Sequence, residues 1–425
     1  MRVPSLPIAL AAVLATALLP IGGVAAQPLR LAGDGSGSNN PDLLHGIASD
    51  CPHCLDGAPH EWDAPPFALD WTLGLRGSYV QSGGEGRFEA LAVPRVSLRH
   101  DFLRGSYSVD ATAEVSRGSD ADLRLNTLRI DSAGEVALAP SLTLSGSAAV
   151  ALTQPRADSS GYPTGTVRAS QEISGSLAGA AAYDFGPVTA TLSGSGSRSV
   201  YGPTTLADTS SIDNSANDNW RAGAALRLGY EVTPMLTAFV EAGAAVQFFD
   251  VASPDYGVRL DATDYSVKTG LAADWGEVLA ADASVGLGLR QFSEAPVDDI
   301  VSTLYDAALT FRPDETLLLR GGLATTIDAP GPNASAAAKV EYAAIGAAEY
   351  QVNPWLRLRA SAGASYALFS DSTASETGYD LGVGADYLLN ESMSLAGDYA
   401  YALTLPSSGA TDEEHRVTLG VTLRR

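Results

Sequence analysis

From Ala68 to the C-terminus, apolar residues alternate with small or polar ones in segments of roughly strand length. In Leu279–Gln291 the odd positions are Leu279, Ala281, Ala283, Val285, Leu287 and Leu289, and Asp282, Ser284, Gly286, Gly288 and Arg290 stand between them. Leu356, Leu358, Ala360, Ala362 and Tyr366 alternate with Arg357, Arg359, Ser361, Gly363 and Ser365. Near the end Val417, Leu419, Val421 and Leu423 alternate with Thr418, Gly420, Thr422 and Arg424. A period of two puts the two sets on opposite faces of a strand. No segment of this region holds a helical stripe for long, so the pattern predicts an all-β chain.

The joins between segments say which kind. Short ones fall at Leu103-Arg104, Pro140-Ser141, Gly186-Pro187, Thr233-Pro234, Gly276-Glu277, Pro313-Asp314, Asn353-Pro354 and Asn390-Glu391. Longer polar joins lie between them, such as 155–171, 203–219, 252–264, 293–299 and 406–414. A β-sandwich has no reason to sort loop lengths by parity, whereas an up-and-down transmembrane barrel does. The expectation is a single antiparallel barrel of about 18 strands, with 16 as the alternative. Aromatic residues bracket the segments in the same way. Trp71, Phe102, Phe185, Tyr230, Trp275, Phe311, Tyr350, Trp355 and Tyr387 stand by the short joins. Tyr79, Tyr201, Trp220, Phe248, Tyr265, Phe292 and Phe369 stand by the long ones, as two interfacial girdles would.

Composition narrows the setting. Of 425 residues, 26 are Lys or Arg and 49 Asp or Glu, a net charge of −23. That excess argues against nucleic acid as a partner, since phosphate needs a basic face. Residues 1–26 read as a secretory leader: Arg2, an apolar Leu6–Leu19 run, then small residues at Val24-Ala25-Ala26. Beyond it no apolar run reaches the roughly 20 residues of a membrane helix. Three regions follow: a signal peptide over 1–26, a polar tether over 27–66 and a barrel over 67–425.

Three stretches carry a family resemblance. They are Tyr230-Glu231-Val232-Thr233-Pro234 running to Phe239–Gly243, Gly270–Phe292 with its Trp-Gly-Glu turn and Arg290-Gln291-Phe292 end, and Gly384–Asn390 running to Tyr401. In these turns and strands the chain resembles the putative beta-barrel porin 2 family of Gram-negative outer-membrane proteins. The resemblance implies an outer-membrane location, outer-membrane lipid, lipopolysaccharide and the barrel insertion machinery as partners, and a porin role. The final Leu423-Arg424-Arg425 departs from the aromatic ending common in such barrels.

If the apolar positions face lipid, the alternate ones line an interior. Arg76, Arg95, Arg99, Arg129, Lys268, Arg290, Arg320, Arg357 and Arg359 fall there, together with Glu241, Asp282, Asp380, Asp386 and Asp398. The remaining inward positions are mostly Ser, Gly, Ala and Thr. Such a wall suits a water-filled channel for small hydrophilic solutes; charges pairing across strands to stiffen the wall are the structural reading of the same residues. The alternative function is a surface-binding or structural barrel without transport. Long joins carry further acids, among them Asp208, Asp213, Asp218, Asp250, Asp255 and Asp261, which read either as a cation-attracting mouth or as a solvated surface. The barrel region holds two histidines, His100 and His415, too few for a hydrolase constellation. No enzyme, cofactor or dedicated metal site is expected.

The tether contains Cys51-Pro52-His53-Cys54. Forty residues without a βαβ pattern cannot build a thiol oxidoreductase. A local disulfide in an oxidising compartment is the leading reading, with a soft-metal site beside His45, His53 or His60 as the alternative. Thiol labelling of the exported chain without reductant is expected to leave Cys51 and Cys54 unmodified. Free thiols with stoichiometric bound metal would favour the metal site instead.

Overall fold

The computed structural model describes residues 67–118, 123–157, 162–163, 165–294, 297–329, 331, 336–370, 372–407 and 411–425. The tether and both cysteines lie outside the described residues. Among the described residues, twenty-one strands follow in chain order. The first seven are β1 (Ala68–Ser82), β2 (Glu85–Phe102), β3 (Gly105–Gly118), β4 (Leu123–Ala139), β5 (Leu142–Thr153), β6 (Thr166–Arg168) and β7 (Glu172–Asp184). Next come β8 (Val188–Tyr201), β9 (Thr204–Leu206), β10 (Ser211–Ile212), β11 (Asn219–Thr233), β12 (Leu236–Phe249), β13 (Ala262–Asp274) and β14 (Leu279–Phe292). The last are β15 (Ile300–Phe311), β16 (Leu317–Asp328), β17 (Lys339–Asn353), β18 (Leu356–Phe369), β19 (Ser375–Asn390), β20 (Met393–Pro406) and β21 (Asp412–Arg424).

Eighteen of these form one antiparallel sheet. Each pairs with its neighbours in sequence, and β21 returns to β1 through Thr72↔Arg424 to Ser82↔Glu414. The sheet is a closed barrel, and the 18-strand expectation holds. Closure matters because an open strand edge cannot be left in lipid. The short β6, β9 and β10 make a separate three-stranded sheet in the long joins after β5 and β8. It is fastened by Asn214, whose side-chain amide donates to the Thr204 hydroxyl at 3.0 Å and the Gly202 carbonyl at 2.9 Å.

The eight short joins all fall at one end of the barrel, where Asp and Asn side chains organise several of the turns. Asp314 accepts from the Thr316 amide at 2.8 Å, and Asn353 from the Trp355 amide at 2.9 Å. The parity of join length is less strict than the sequence suggested. On the long side β1 and β2 are joined by Gly83-Gly84 alone. Both glycines have positive φ, which only a residue without Cβ takes up freely.

Outward faces are apolar: Leu75, Leu177, Leu192, Leu226, Val267, Leu287 and Leu419 are all exposed at mid-strand. Trp71, Phe185, Tyr230, Trp275, Tyr350, Trp355 and Tyr387 form an exposed ring at the short-join end. At the other end Tyr79, Trp220, Phe248 and Tyr265 point out. Tyr201, Phe292 and Phe369 do not belong to that girdle. Their register places them inward: Tyr201 meets the inward Glu172, and Phe292 packs on Phe249, Leu260, Val297 and Ala337. Position along a strand locates an aromatic at an interface, but residue parity decides its face. Phe88, Tyr366 and Tyr379 complete the ring in their stead.

The face assignment has a direct test. Leu226→Arg, outward at mid-strand, is expected to lower unfolding stability in phospholipid vesicles by about 2–4 kcal/mol. Ser195→Arg, inward on the adjoining β8, is expected to stay within about 0.5 kcal/mol. Equal losses in urea titrations would mean the faces are assigned wrongly.

Candidate functional site

The interior is built by register. Arg359 on β18 lies opposite Gly384 on β19, and Gly384 lies opposite Asp398 on β20. Arg359 reaches over the glycine to Asp398 at 2.7 Å and holds Asp386 at 2.9 Å. Arg357 completes this run, 3.6 Å from Asp386 and 3.9 Å from Glu349. Farther along the wall Lys268 lies 2.7 Å from Asp306 and 3.9 Å from Glu241, and Arg227 pairs with Asp282 while lying over the Phe239 ring. Arg129 pairs with Asp131 on its own strand at 2.5 Å.

The remaining sequence candidates also fall on inward positions. Arg76 stands opposite Leu91 and Gly420, Arg95 opposite Thr112, and Arg99 opposite Ser108. Arg320 stands opposite Thr310 and Ala347, and Asp380 opposite Gly363. Arg290 is inward but 1% exposed, so it is enclosed in the wall rather than presented to an interior space. It lies 3.4 Å from Asp264 and bonds Gln247.

Two inward projections narrow the long-join end. Arg156, just beyond β5, crosses to β2 and β21 and sits 2.9 Å from Glu89 and 3.8 Å from Glu414. Arg221 on β11 holds Asp264 at 2.8 Å and also Asp328, at the end of β16, at 2.7 Å. Three strands, β11, β13 and β16, therefore meet through one guanidinium, and the wall from β11 to β16 curls inward there. Neither contact was legible in the sequence, because each joins residues whose proximity depends on how the joins fold.

The family model for putative beta-barrel porin 2 matches residues 78–425. The chain belongs to that family. Among solved structures it is similar to OccK2 (OpdF) of Pseudomonas aeruginosa, with a TM-score of 0.41 and 10% identity, covering 84% of this chain and 98% of that one. OpdL of the same organism gives 0.40 and 13% over 84% and 99%, and OccAB4 of Acinetobacter baumannii 0.38 and 12% over 84% and 98%. No curated protein matches the sequence.

What this family member adds to the sequence reading is the use of inward glycines as gaps. A Cβ on Gly384 would stand 2.3 Å from Asp398 Oδ1 and 3.2 Å from Arg359 Nη2. A Cβ on Gly286 would stand 2.8 Å from Lys268 Cγ, blocking its passage to Asp306. Removing the side chain on one strand thus lets a long cation reach the second strand away. The signal was present as glycine at inward positions, but alternation alone reads it as mere smallness. His415, by contrast, faces outward, with Nδ1 2.9 Å from the Tyr399 hydroxyl and Nε2 3.3 Å from Glu413.

Gly384→Ala is expected to cost about 1–3 kcal/mol by overpacking against the Arg359–Asp398 pair. Gly346→Ala, where a Cβ meets nothing within 4 Å, is expected to be near neutral. Denaturant midpoints of the two variants in one lipid composition decide it; equal midpoints would remove the gap argument.

Proposed function

We propose that the chain is a passive channel of the Gram-negative outer membrane for small hydrophilic solutes, with a weak preference for cations. The single observation that carries this reading is a closed barrel of 18 strands whose inward face is charged and small while its outward face is apolar. A sheet of this size encloses more space than its side chains fill. Outer-membrane lipid and lipopolysaccharide would surround it after delivery by the barrel insertion machinery.

In this reading Arg76, Arg95, Arg99, Arg129, Glu241, Lys268, Asp282, Arg320, Arg357, Arg359, Asp380, Asp386 and Asp398 line the pore, and Arg290 braces the wall behind them. Arg129, Lys268, Arg357 and Arg359 each hold a carboxylate within ion-pair distance, so the wall offers a solute paired charges of both signs rather than one sign. Discrimination by charge then falls to the mouth. Arg156, anchored on Glu89 and Glu414, would set the width there.

The carboxylates of the long joins differ in how readily they protonate. Asp208 and Asp213 are held below the usual range by hydrogen bonds from Ser210 and Ser215. Asp250 is lowered by its bond to Arg198. Asp218 is raised, chiefly by burial and further by Asp250 and Asp213. On acidification Asp218 should lose its charge first and the other three later.

Reversal potentials of the refolded protein in a salt gradient test the proposal. Cation preference is expected at low salt, vanishing near 1 M where the screening length is about 3 Å. It should decline as pH falls through the carboxylate range and be reduced by the combined Asp208→Asn, Asp213→Asn and Asp218→Asn changes. Anion preference at low salt would overturn the role given to the joins. Correctly folded protein without conductance would favour the surface-binding or structural barrel.

A further inference from the structure

The ladder between β15 and β16 is incomplete. It holds five pairs, Ala307↔Leu323 to Phe311↔Leu319, on the short-join side of the wall. The flanking ladders run on to Arg290↔Ile300 and to Asp328↔Lys339. Just above the last pair the Thr325 hydroxyl stands between the strands. It accepts from the Tyr305 amide at 3.0 Å and donates to the Tyr305 carbonyl at 3.1 Å. One side chain does there what a backbone pair does elsewhere.

Higher still, the strands overlap instead of meeting edge to edge. Register with β14 makes Ser302 and Leu304 inward, while register with β17 and β18 makes Ile327, Val340 and Tyr342 outward. Yet Leu304, Ile327 and Val340 form one buried cluster, flanked by Ile300 and Tyr342. The Ser302 and Tyr342 hydroxyls are 3.0 Å apart. The inner face of β15 therefore covers the outer face of β16 and β17. This seal reaches the lipid side beside the exposed Val301 and Tyr305. On the inner side it reaches Gly288, where a Cβ would touch the ends of Leu304 and Ile327. Arg290, Asp264, Arg221 and Asp328 lie beyond it.

Unpaired backbone in lipid is costly, so a ladder gap at membrane depth is tolerated where it is buried in protein or lines a cavity. Aliphatic side chains close most of this one, and the hydroxyl contacts of Thr325 and Ser302 are the few hydrogen bonds that parting it would break. We propose that the β15–β16 seam is a side passage through the barrel wall for a small apolar or weakly amphipathic molecule, moving between the interior and the surrounding lipid. A hydrated ion would lose its water against Leu304, Ile327 and Val340 and gain nothing. A lipid-soluble molecule replaces the contacts these side chains give up with its own. The proposal rests on the chain being a membrane barrel but not on its carrying hydrophilic solutes.

The test uses the full chain, with Cys51→Ser and Cys54→Ser, in the outer membrane of a Gram-negative host. The probe is N-phenyl-1-naphthylamine, which fluoresces on reaching the bilayer interior. Leu304→Cys with Ile327→Cys staples the seam, because the two side chains share one cluster. Oxidation is expected to slow probe influx several-fold, and reductant to restore it. Thr325→Val, which removes the hydroxyl bridge, is expected to raise influx several-fold. Sugar-driven swelling of liposomes holding each variant should be unchanged. Equal influx with the staple open and closed, its formation being confirmed by gel mobility, would overturn the side passage. So would a parallel fall in swelling, since the probe would then be using the central lumen. Should the cysteine pair fail to assemble, unchanged influx in Thr325→Val overturns the proposal by itself. Staple-sensitive influx without any sugar flux would sink the channel reading and leave the passage standing.

Discussion

In a hydrocarbon layer a backbone N–H or C=O has no water to turn to, and each one left unpaired costs several kcal/mol. A strand can satisfy only half of its groups with one neighbour, so the sheet must continue until its last strand finds its first. Here that is the β21–β1 ladder from Thr72↔Arg424 to Ser82↔Glu414. Closure then dictates the rest. Side chains have two directions only, lipid or interior, and the period of two sorts them without exception along a regular strand. Leu226 and Arg227 are neighbours in sequence and belong to different solvents.

The interior inherits a problem from that sorting. Long cations placed at inward positions need partners, and the residue directly opposite is often small. The glycines at 286 and 384 resolve this by letting Lys268 and Arg359 lie along the wall and find acids two strands away. Such pairs are partly buried and join strands that share no backbone bonds, so they brace the wall against shear as well as neutralising it. A bare guanidinium on the same surface would be costly wherever the wall is covered, as it is around Arg290.

The period of two is also why so much of the fold was legible in the sequence. Strand existence, the approximate count and the inward set follow from parity and from turn residues such as Asn353-Pro354 and Gly276-Glu277, all of which are local. What parity does not encode is contact between elements. Tyr201, Phe292 and Phe369 stand at the expected height but face inward, because height comes from distance to a join and direction from parity. Arg156 on Glu89, or Arg221 on Asp328, depends on how long polar joins fold over the end of the barrel, and no periodicity extends into those joins. The β15–β16 gap was hidden for a related reason: both strands alternate normally, and nothing in either one records where their shared ladder stops.

That gap shows how a closed barrel can depart from its governing constraint without breaking it. Every other neighbouring pair along this wall answers the demand of the bilayer with backbone bonds. β15 and β16 answer it above Ala307 with a hydroxyl and then with overlap. The inward curl of the wall accompanies the overlap: Arg221 holds the end of β16 toward β11, and the end of β15 lies outside it. The charged contact at the mouth and the aliphatic seal in the wall thus both involve the end of β16. Loosening the Arg221–Asp328 pair would let β16 swing back toward β15 and remove the surface on which Leu304 rests, so the seam depends on the mouth contact, although the seam's own side chains can change without disturbing the mouth.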